Sequence, residues 1–213
     1  MSRSPLLVAV LMAVVLFTLP LGQTASFAQA APNSTKVAAL DMTLRNLFVD
    51  HVFWVRSMVI ATKAGNAAEA TVAYRQALGN AKAFGGAVAS FYGEAAGQQF
   101  ATLFAGHVNA VRNYCLADLK GDEAAENAAA KAMTQNGEAL ATFLSTANHN
   151  LPKDAVLSLL GSHVALHIAE CNAAAAGKLD EEAGTWDPML KNIDTISDAL
   201  AQAIAKQFPS KFM

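Results

Sequence analysis

The chain carries one sequence unit three times, at a fixed interval of 56 residues. The dipeptide His-Val occurs at His51, His107 and His163. In every unit a leucine precedes the histidine by four residues, and an alanine, a glycine and an asparagine follow it by 10, 14 and 29 residues. Such self-similarity predicts a fold built from copies of one supersecondary unit. The recurring glycines and asparagines are Gly65, Gly121, Gly177, Asn80, Asn136 and Asn192.

Each unit is predicted to be a hairpin of two helices. Apolar residues recur at three- and four-residue spacing, alanine and leucine are abundant, and runs of β-branched residues are scarce. Gly121 is predicted to end the first helix of unit two, and Asp122 to begin the second.

Residues that break helices separate the units. Tyr92-Gly93 ends the first unit, and the stretch 148–152 ends the second. Three hairpins predict an all-α, six-helix bundle with pseudo-threefold symmetry. A short open solenoid is the alternative, but solenoids usually have atypical end repeats and these units share one length. The units span about residues 37–92, 93–148 and 149–204.

The last helix has two predicted starts. Trp186-Asp187-Pro188 is typical of a helix N-terminus with proline in its first turn. Alternatively, the helix begins near Leu179 and kinks at Pro188.

The first thirty residues are predicted to be a secretory signal peptide. Arg3 precedes an apolar run from Leu6 to Leu19, and Ala28-Gln29-Ala30 is a small-x-small cleavage signal. The apolar run is short for a membrane span, and no second one follows. We therefore expect cleavage after Ala30 and a single exported domain over residues 31–213. The expected location is the bacterial periplasm or the medium, without stable membrane insertion.

The charge balance gives no sign of a nucleic-acid partner. The chain has 15 Lys and Arg against 17 Asp and Glu, a formal net charge of −2, and loss of Arg3 makes it more acidic. A mildly acidic chain without a basic cluster is not typical of nucleic-acid binding. The sequence does not identify a protein partner.

The two cysteines occupy equivalent positions in units two and three. Cys115 and Cys171 each follow their unit's histidine by eight residues. In an oxidising compartment they can form a disulfide. They can equally remain buried thiols on helices too far apart to bridge.

The repeated histidines have two interpretations. In a hairpin that turns at the glycine, each histidine lies level with the asparagine of its own unit. Each pair can then form a buried hydrogen bond that satisfies both side chains without a metal. If the first helices of the units instead line one axis, His51, His107 and His163 converge into a site for zinc, copper or iron, with the asparagines behind them.

Unit three offers further donors on one helix. His163, His167 and Cys171 follow at four-residue spacing, and Glu170 lies seven residues after His163. A site of His163, His167 and Glu170, assisted by His107, could bind a transition metal. The alternative is a helix with one histidine at its edge and a glutamate facing solvent.

Two further side chains are candidate neighbours of a site. Trp54 and Arg56 could shape a pocket; alternatively, Trp54 is a core anchor and Arg56 a solvated or paired charge. His149 lies in the junction after unit two and is expected at the surface.

Motifs of common enzyme chemistries do not occur. The sequence has no glycine-rich phosphate loop, nucleophile elbow or zinc-protease helix motif, and no repeated Glu-x-x-His. We therefore favour an exported, non-enzymatic protein that binds a metal through the repeated histidines. A structural or interaction bundle without metal is the second hypothesis. A metal-dependent enzyme with an unidentified base and cleft is the third.

Several short motifs resemble those of a family of small bacterial helical proteins. They are Asp50-His51 with Trp54 and Arg56, Phe91-Tyr92-Gly93-Glu94 with Ala96-Gly97, Phe143-Leu144-Ser145 with Ala147-Asn148 and Asn150, and Gln207-Phe208-Pro209 with Lys211-Phe212. Members are often labelled glycosyltransferases, yet this chain has neither an α/β nucleotide-binding pattern nor an Asp-x-Asp motif. The resemblance implies a helical fold without a settled activity.

Matched positions in that family's pattern include the repeated histidines. They are His51, Trp54, Arg56, Tyr92, His107, Asn136, His163 and Glu170. Cys115, His167 and Cys171 lie outside the pattern, and His149 stands where the family has proline. A site containing a cysteine is therefore not implied for the family as a whole.

Overall fold

The computed structural model describes residues 35–213, and this part of the chain is all α-helical with no strand. The predicted signal peptide, residues 1–30, lies outside the described residues. None of the helices in residues 35–213 is long and apolar enough to cross a membrane. A 3-10 turn, Pro209–Lys211, follows the last α-helix. The α-helices are α1 (Thr35–Lys63), α2 (Ala67–Tyr92), α3 (Glu94–Lys120), α4 (Glu123–Ala147), α5 (Lys153–Ala175), α6 (Leu179–Gly184) and α7 (Trp186–Gln207).

The turn glycines end helices as predicted. Gly65, Gly121 and Gly177 have φ of 72°, 65° and 71°, the left-handed conformation in which glycine carries no Cβ penalty. Asp122 caps α4, because its side chain accepts a hydrogen bond from the backbone N–H of Ala125 at 3.0 Å. The predicted boundary after α3 is confirmed.

The second helix of unit three is divided. α6 ends at Gly184 and α7 begins at Trp186, so a helix starts at each of the two predicted places. In one continuous helix the ring of Pro188 would clash with the carbonyl of Gly184, and the hydrogen bond to that carbonyl would be lost. Near the start of α7 the missing N–H has no cost, because the first-turn N–H groups of a helix have no partner within it.

Helices α1, α3 and α5 form the inner part of the bundle. Each of them contacts the other two. Helix α2 packs on α1 and α3, α4 packs on α3 and α5, and α7 packs on α1 and α5. The repeated histidines lie on the three inner helices, so this arrangement brings them towards one another.

Helices α2 and α3 approach each other closely where two glycines face each other. A Cβ added to Gly85 would lie 2.7 Å from the carbonyl oxygen of Gly97, and one added to Gly97 would lie 2.5 Å from that of Gly85. Real Cβ atoms do not come that near, so the helix crossing requires glycine at both positions.

Candidate metal centre

Four histidines meet inside the bundle. His51 comes from α1, His107 from α3, and His163 and His167 from α5. Their exposed fractions are 0%, 5%, 4% and 0%. One ring nitrogen from each residue can be chosen so that all four atoms lie within 4.8 Å of one another. These residues, which we call the four-histidine cluster, are close enough to hold one metal ion.

The cluster combines parts of both sequence hypotheses for a metal. The three repeated histidines do come together, with ring centroids 5.4 to 5.6 Å apart. His167 joins them, with its ring centroid 4.6 Å from that of His163. Glu170 is not a member of this group. It is buried rather than facing solvent, and its carboxylate lies behind His167.

His163 shows the hydrogen bonding that the hairpin geometry predicts. Its Nδ1 lies 3.0 Å from the side-chain oxygen of Asn192. The amide of Asn192 donates to the carbonyl of Leu159 at 3.4 Å, which leaves its oxygen as acceptor. Nδ1 of His163 therefore carries the proton, and Nε2 has a lone pair that faces Nε2 of His167 at 3.2 Å.

The other two His–Asn pairs do not form, so the sequence interpretation is wrong for units one and two. The amides of Asn80 and Asn136 donate to the carbonyls of Leu47 and Leu103, at 2.9 and 2.8 Å. Their side-chain oxygens have no partner within residues 35–213. In every unit the asparagine amide thus donates to the carbonyl of the leucine 33 residues earlier. Only in unit three does the histidine also bond to the side-chain oxygen of its asparagine.

Ring nitrogens of two cluster histidines are buried without a hydrogen bond. They are both nitrogens of His51 and Nε2 of His107, counted over the described part of the chain. Burying an unpaired polar group costs about 1 to 3 kcal/mol. A metal ion bound by Nε2 of His107 and by one ring nitrogen of His51 would remove that cost for both atoms, so the donors present fit a nitrogen-bound ion.

All four histidines are neutral at neutral pH. Burial lowers the pKa of His163 to about 3 and that of His167 to about 4. Burial, together with the neighbouring imidazoles, also holds the pKa of His51 and of His107 well below the usual value. Neutral imidazole is the form that binds a metal.

Glu170 supplies a carboxyl group to the back of His167. Its Oε2 lies 3.2 Å from Nδ1 of His167. Burial and the negative charge of Glu182 together raise the pKa of Glu170 to about 8, against an opposing effect of Arg56. A protonated Glu170 can donate to His167, and an ionised Glu170 can accept from it. Either form fixes which nitrogen of His167 faces the cluster.

Arg56 forms an ion pair, as one of the sequence alternatives proposed, but with a partner that the sequence analysis did not identify. Its guanidinium donates to both carboxylate oxygens of Glu182, at 2.6 and 2.8 Å. The same group stacks over the ring of Trp186, 5.7 Å from its centroid. Glu182 was missed, although it follows Glu126 by the repeat interval of 56 residues, and that spacing could have singled it out.

The remaining candidates lie away from the cluster centre. Trp54 makes an edge-to-face contact with Phe53, with ring centroids 4.9 Å apart, and packs on the buried core, so it is a core anchor. His149 is exposed, as expected.

A disulfide joins Cys115 of α3 to Cys171 of α5, with 5.1 Å between their Cα atoms. That separation lies in the range a disulfide spans, so the thiol alternative with distant backbones does not describe this structure. The bond lies two helical turns from His107 on one helix and from His163 on the other. It therefore ties together two of the helices that carry the cluster.

Comparisons with known protein families, with curated proteins and with solved structures find no match for this chain. The chemistry of the four imidazoles is therefore the basis for a functional conclusion.

Proposed function

We propose that this protein is an exported, non-enzymatic helical bundle that binds one transition-metal ion through His51, His107, His163 and His167. The observation that carries the proposal is the convergence of four buried imidazole nitrogens within 4.8 Å. Three of the nitrogens in this group of residues lack any other partner within residues 35–213.

The separations suit a tetrahedral ion after a small contraction. Zinc–nitrogen bonds of 2.0 to 2.1 Å in a tetrahedron require ligand nitrogens about 3.3 Å apart. The Nε2 atoms of His163 and His167 already lie 3.2 Å apart. The widest pair, at up to 4.8 Å, needs to close by about 1.5 Å, which rotation of the imidazoles on their side chains can supply.

The donor set favours zinc, copper or iron. Imidazole suits these ions, whereas magnesium and calcium prefer oxygen ligands. Four neutral ligands leave the charge of the ion uncompensated in a dry interior. The carboxylate of Glu170, in contact with His167, would offset part of it.

A closed ligand shell supports a structural or storage role over catalysis. Catalytic zinc sites keep one position for water or substrate, while structural sites are filled by four protein ligands. Here four side chains from three inner helices would fill the shell, and each is at most 5% exposed. The ion would then crosslink α1, α3 and α5.

We also propose that the bundle is three copies of one hairpin around a pseudo-threefold axis near the cluster. Three facts support this. An asparagine amide donates to a leucine carbonyl 33 residues earlier in every unit. A glycine with positive φ ends the first helix of every unit. The three first helices contact one another in pairs.

A metal-free structural role is the second candidate, and one set of contacts favours it. With Glu170 protonated, hydrogen bonds can run from Glu170 through His167 and His163 to Asn192 and end on the carbonyl of Leu159. This series of hydrogen bonds gives both histidines of unit three hydrogen-bond partners without an ion. It leaves both ring nitrogens of His51 and Nε2 of His107 unpaired within residues 35–213, whereas an ion would bind one nitrogen of each residue, which is why we place the metal first.

The test is a measurement of bound metal in protein purified without an affinity tag. We expect about one ion per chain by elemental analysis, and loss of that ion in His167→Val. Valine is the residue that units one and two have at this position, Val55 and Val111, so the variant should fold. His107→Ala should lose the ion as well.

The matched control is His149→Ala, which removes an exposed histidine and should retain the ion. Wild-type protein that contains no metal, and whose melting temperature does not rise with added zinc, copper or iron, would contradict the proposal. Retention of the ion in both cluster variants would contradict the assignment of the ligands.

A further inference from the structure

An ion that reaches the four-histidine cluster needs a route through the bundle. His51 and His167 have no exposed surface. Along α1, buried apolar residues lie on both sides of His51, Phe48 before it and Val52, Val55 and Val59 after it. A divalent cation does not cross such surroundings without polar groups to replace its water.

A row of charged side chains leads from the cluster towards the surface. His167 contacts Glu170 on α5, α5 packs against α6, which carries Glu182, and Glu182 pairs with Arg56. The exposed fraction of the side chains rises along this row, from 0% for His167 and 4% for Glu170 to 6% for Glu182 and 32% for Arg56.

Comparison with unit two shows that the combination of Glu170 with Glu182 is particular to unit three. In unit two the equivalents of Glu170 and Glu182 are Tyr114 and Glu126, and the tyrosine hydroxyl lies 3.0 Å from the carboxylate. Unit three replaces that hydroxyl by a second carboxyl group. Two carboxyl groups can supply oxygen ligands to one divalent cation.

One oxygen of this pair has no partner. Oε1 of Glu170 is buried without a hydrogen bond to any atom of residues 35–213. The guanidinium of Arg56 is bound to Glu182 instead. Glu170 thus presents an unused ligand oxygen next to the cluster.

We infer that Glu170 and Glu182 bind the incoming cation in transit to the four-histidine cluster, and that Arg56 covers this carboxylate pair when no ion passes. The inference rests on the proposed metal site. The guanidinium of Arg56 lies at the outer end of the row and stacks on Trp186. It can move outwards while Glu182 exchanges its partner for the ion.

The test is the rate at which metal-free, full-length protein takes up Co²⁺, followed by the visible absorption of the nitrogen-bound ion in a stopped-flow instrument. We expect Glu182→Gln to slow uptake about tenfold, because it removes one of the charges that attract the ion. The dissociation constant should change much less, since Glu182 does not contact the histidines. Uptake by Glu182→Gln at the wild-type rate would overturn the inference.

Glu126→Gln is the matched control, because it changes the equivalent carboxylate of unit two and should load at the wild-type rate. Arg56→Gln is the second variant, in which the amide still bonds to Glu182 but the positive charge is gone. We expect it to load faster than wild type, and equal or slower loading would overturn the inference. If wild-type protein takes up no Co²⁺ and no Zn²⁺ at equilibrium, the metal site itself fails. Normal equilibrium binding with unaltered rates in both variants rejects only the transit route.

Discussion

The Nε2 atoms of His163 and His167 lie 3.2 Å apart, one helical turn from each other on α5. The hydrogen bond to Asn192 places the proton of His163 on Nδ1, so a lone pair of His163 points at His167. In metal-free protein, His167 must donate a proton into that gap. A bound ion would replace this proton and use both lone pairs. The pair therefore has a stable arrangement both with and without a metal.

Metal-free protein should lose stability as the solution becomes acidic. The folded pKa of His163, about 3, and of His167, about 4, lie below the value of about 6.5 in an unfolded chain, so the unfolded state binds more protons. Stability is present above pH 6.5 and falls as the pH drops towards these folded values. Urea titrations between pH 7 and pH 4 should show a loss of at least about 1.4 kcal/mol per pH unit.

Glu170 acts in the opposite direction, because its folded pKa is raised to about 8. Glu170 is a single group, whereas four histidines have lowered pKa values, so the free energy of unfolding still decreases as the solution becomes acidic. His149→Gln should leave the profile unchanged, since that side chain is exposed. A constant free energy of unfolding between pH 7 and pH 5 would contradict the prediction.

Replacing His51 by leucine should separate metal binding from folding. The substitution removes two buried nitrogens that lack partners within the described residues, which individually cost about 1 to 3 kcal/mol. We expect the free energy of unfolding of metal-free His51→Leu to equal or exceed that of wild type. The rise in melting temperature on adding zinc should disappear, because one ligand is lost. Thermal melts with and without zinc measure both, and an undiminished rise would exclude His51 as a ligand.

Reduction of the disulfide should destabilise the protein. The bond between Cys115 and Cys171 closes a loop with a sequence separation of 56 residues. Restricting an unfolded chain over such a loop contributes about 4 kcal/mol in the chain-entropy model. Wild-type protein in reducing buffer should unfold at a correspondingly lower urea concentration. The double variant Cys115→Ala/Cys171→Ala should give the same midpoint with and without reductant, and a wild-type midpoint that does not respond would contradict the prediction.

The close crossing of α2 and α3 should tolerate no side chain at Gly85. A Cβ there would meet the backbone carbonyl of Gly97 at 2.7 Å, and overpacking of this kind costs about 1 to 3 kcal/mol. Gly86 is the matched control, because a Cβ there meets nothing within 4 Å. Gly86→Ala should be neutral or stabilise by up to about 1 kcal/mol through helix propensity. Equal unfolding free energies for the two variants would show that the helices do not cross this closely.

The repeat predicted much of the local structure and part of the site. Gly121 and Asp122 placed a helix boundary correctly, because left-handed glycine and a capping carboxylate act within a few residues. The second helix of unit three was not predicted uniquely. Its break between Gly184 and Trp186 depends on whether Pro188 lies in the first turn of a helix or in its interior. His51, His107 and His163 were singled out by their spacing alone.

The sequence by itself determined the helices, their turns and the equivalence of the three histidines, because these follow from contacts between residues near in the chain. Only the tertiary structure decided that the histidines meet, that His167 joins them and that Glu170 lies behind it. Helical periodicity fixes the face of a helix on which a residue lies, but the packing of α1 on α3 and α5 fixes which faces share a centre. The Arg56–Glu182 pair joins residues 126 positions apart, so it too exists only once the helices have packed.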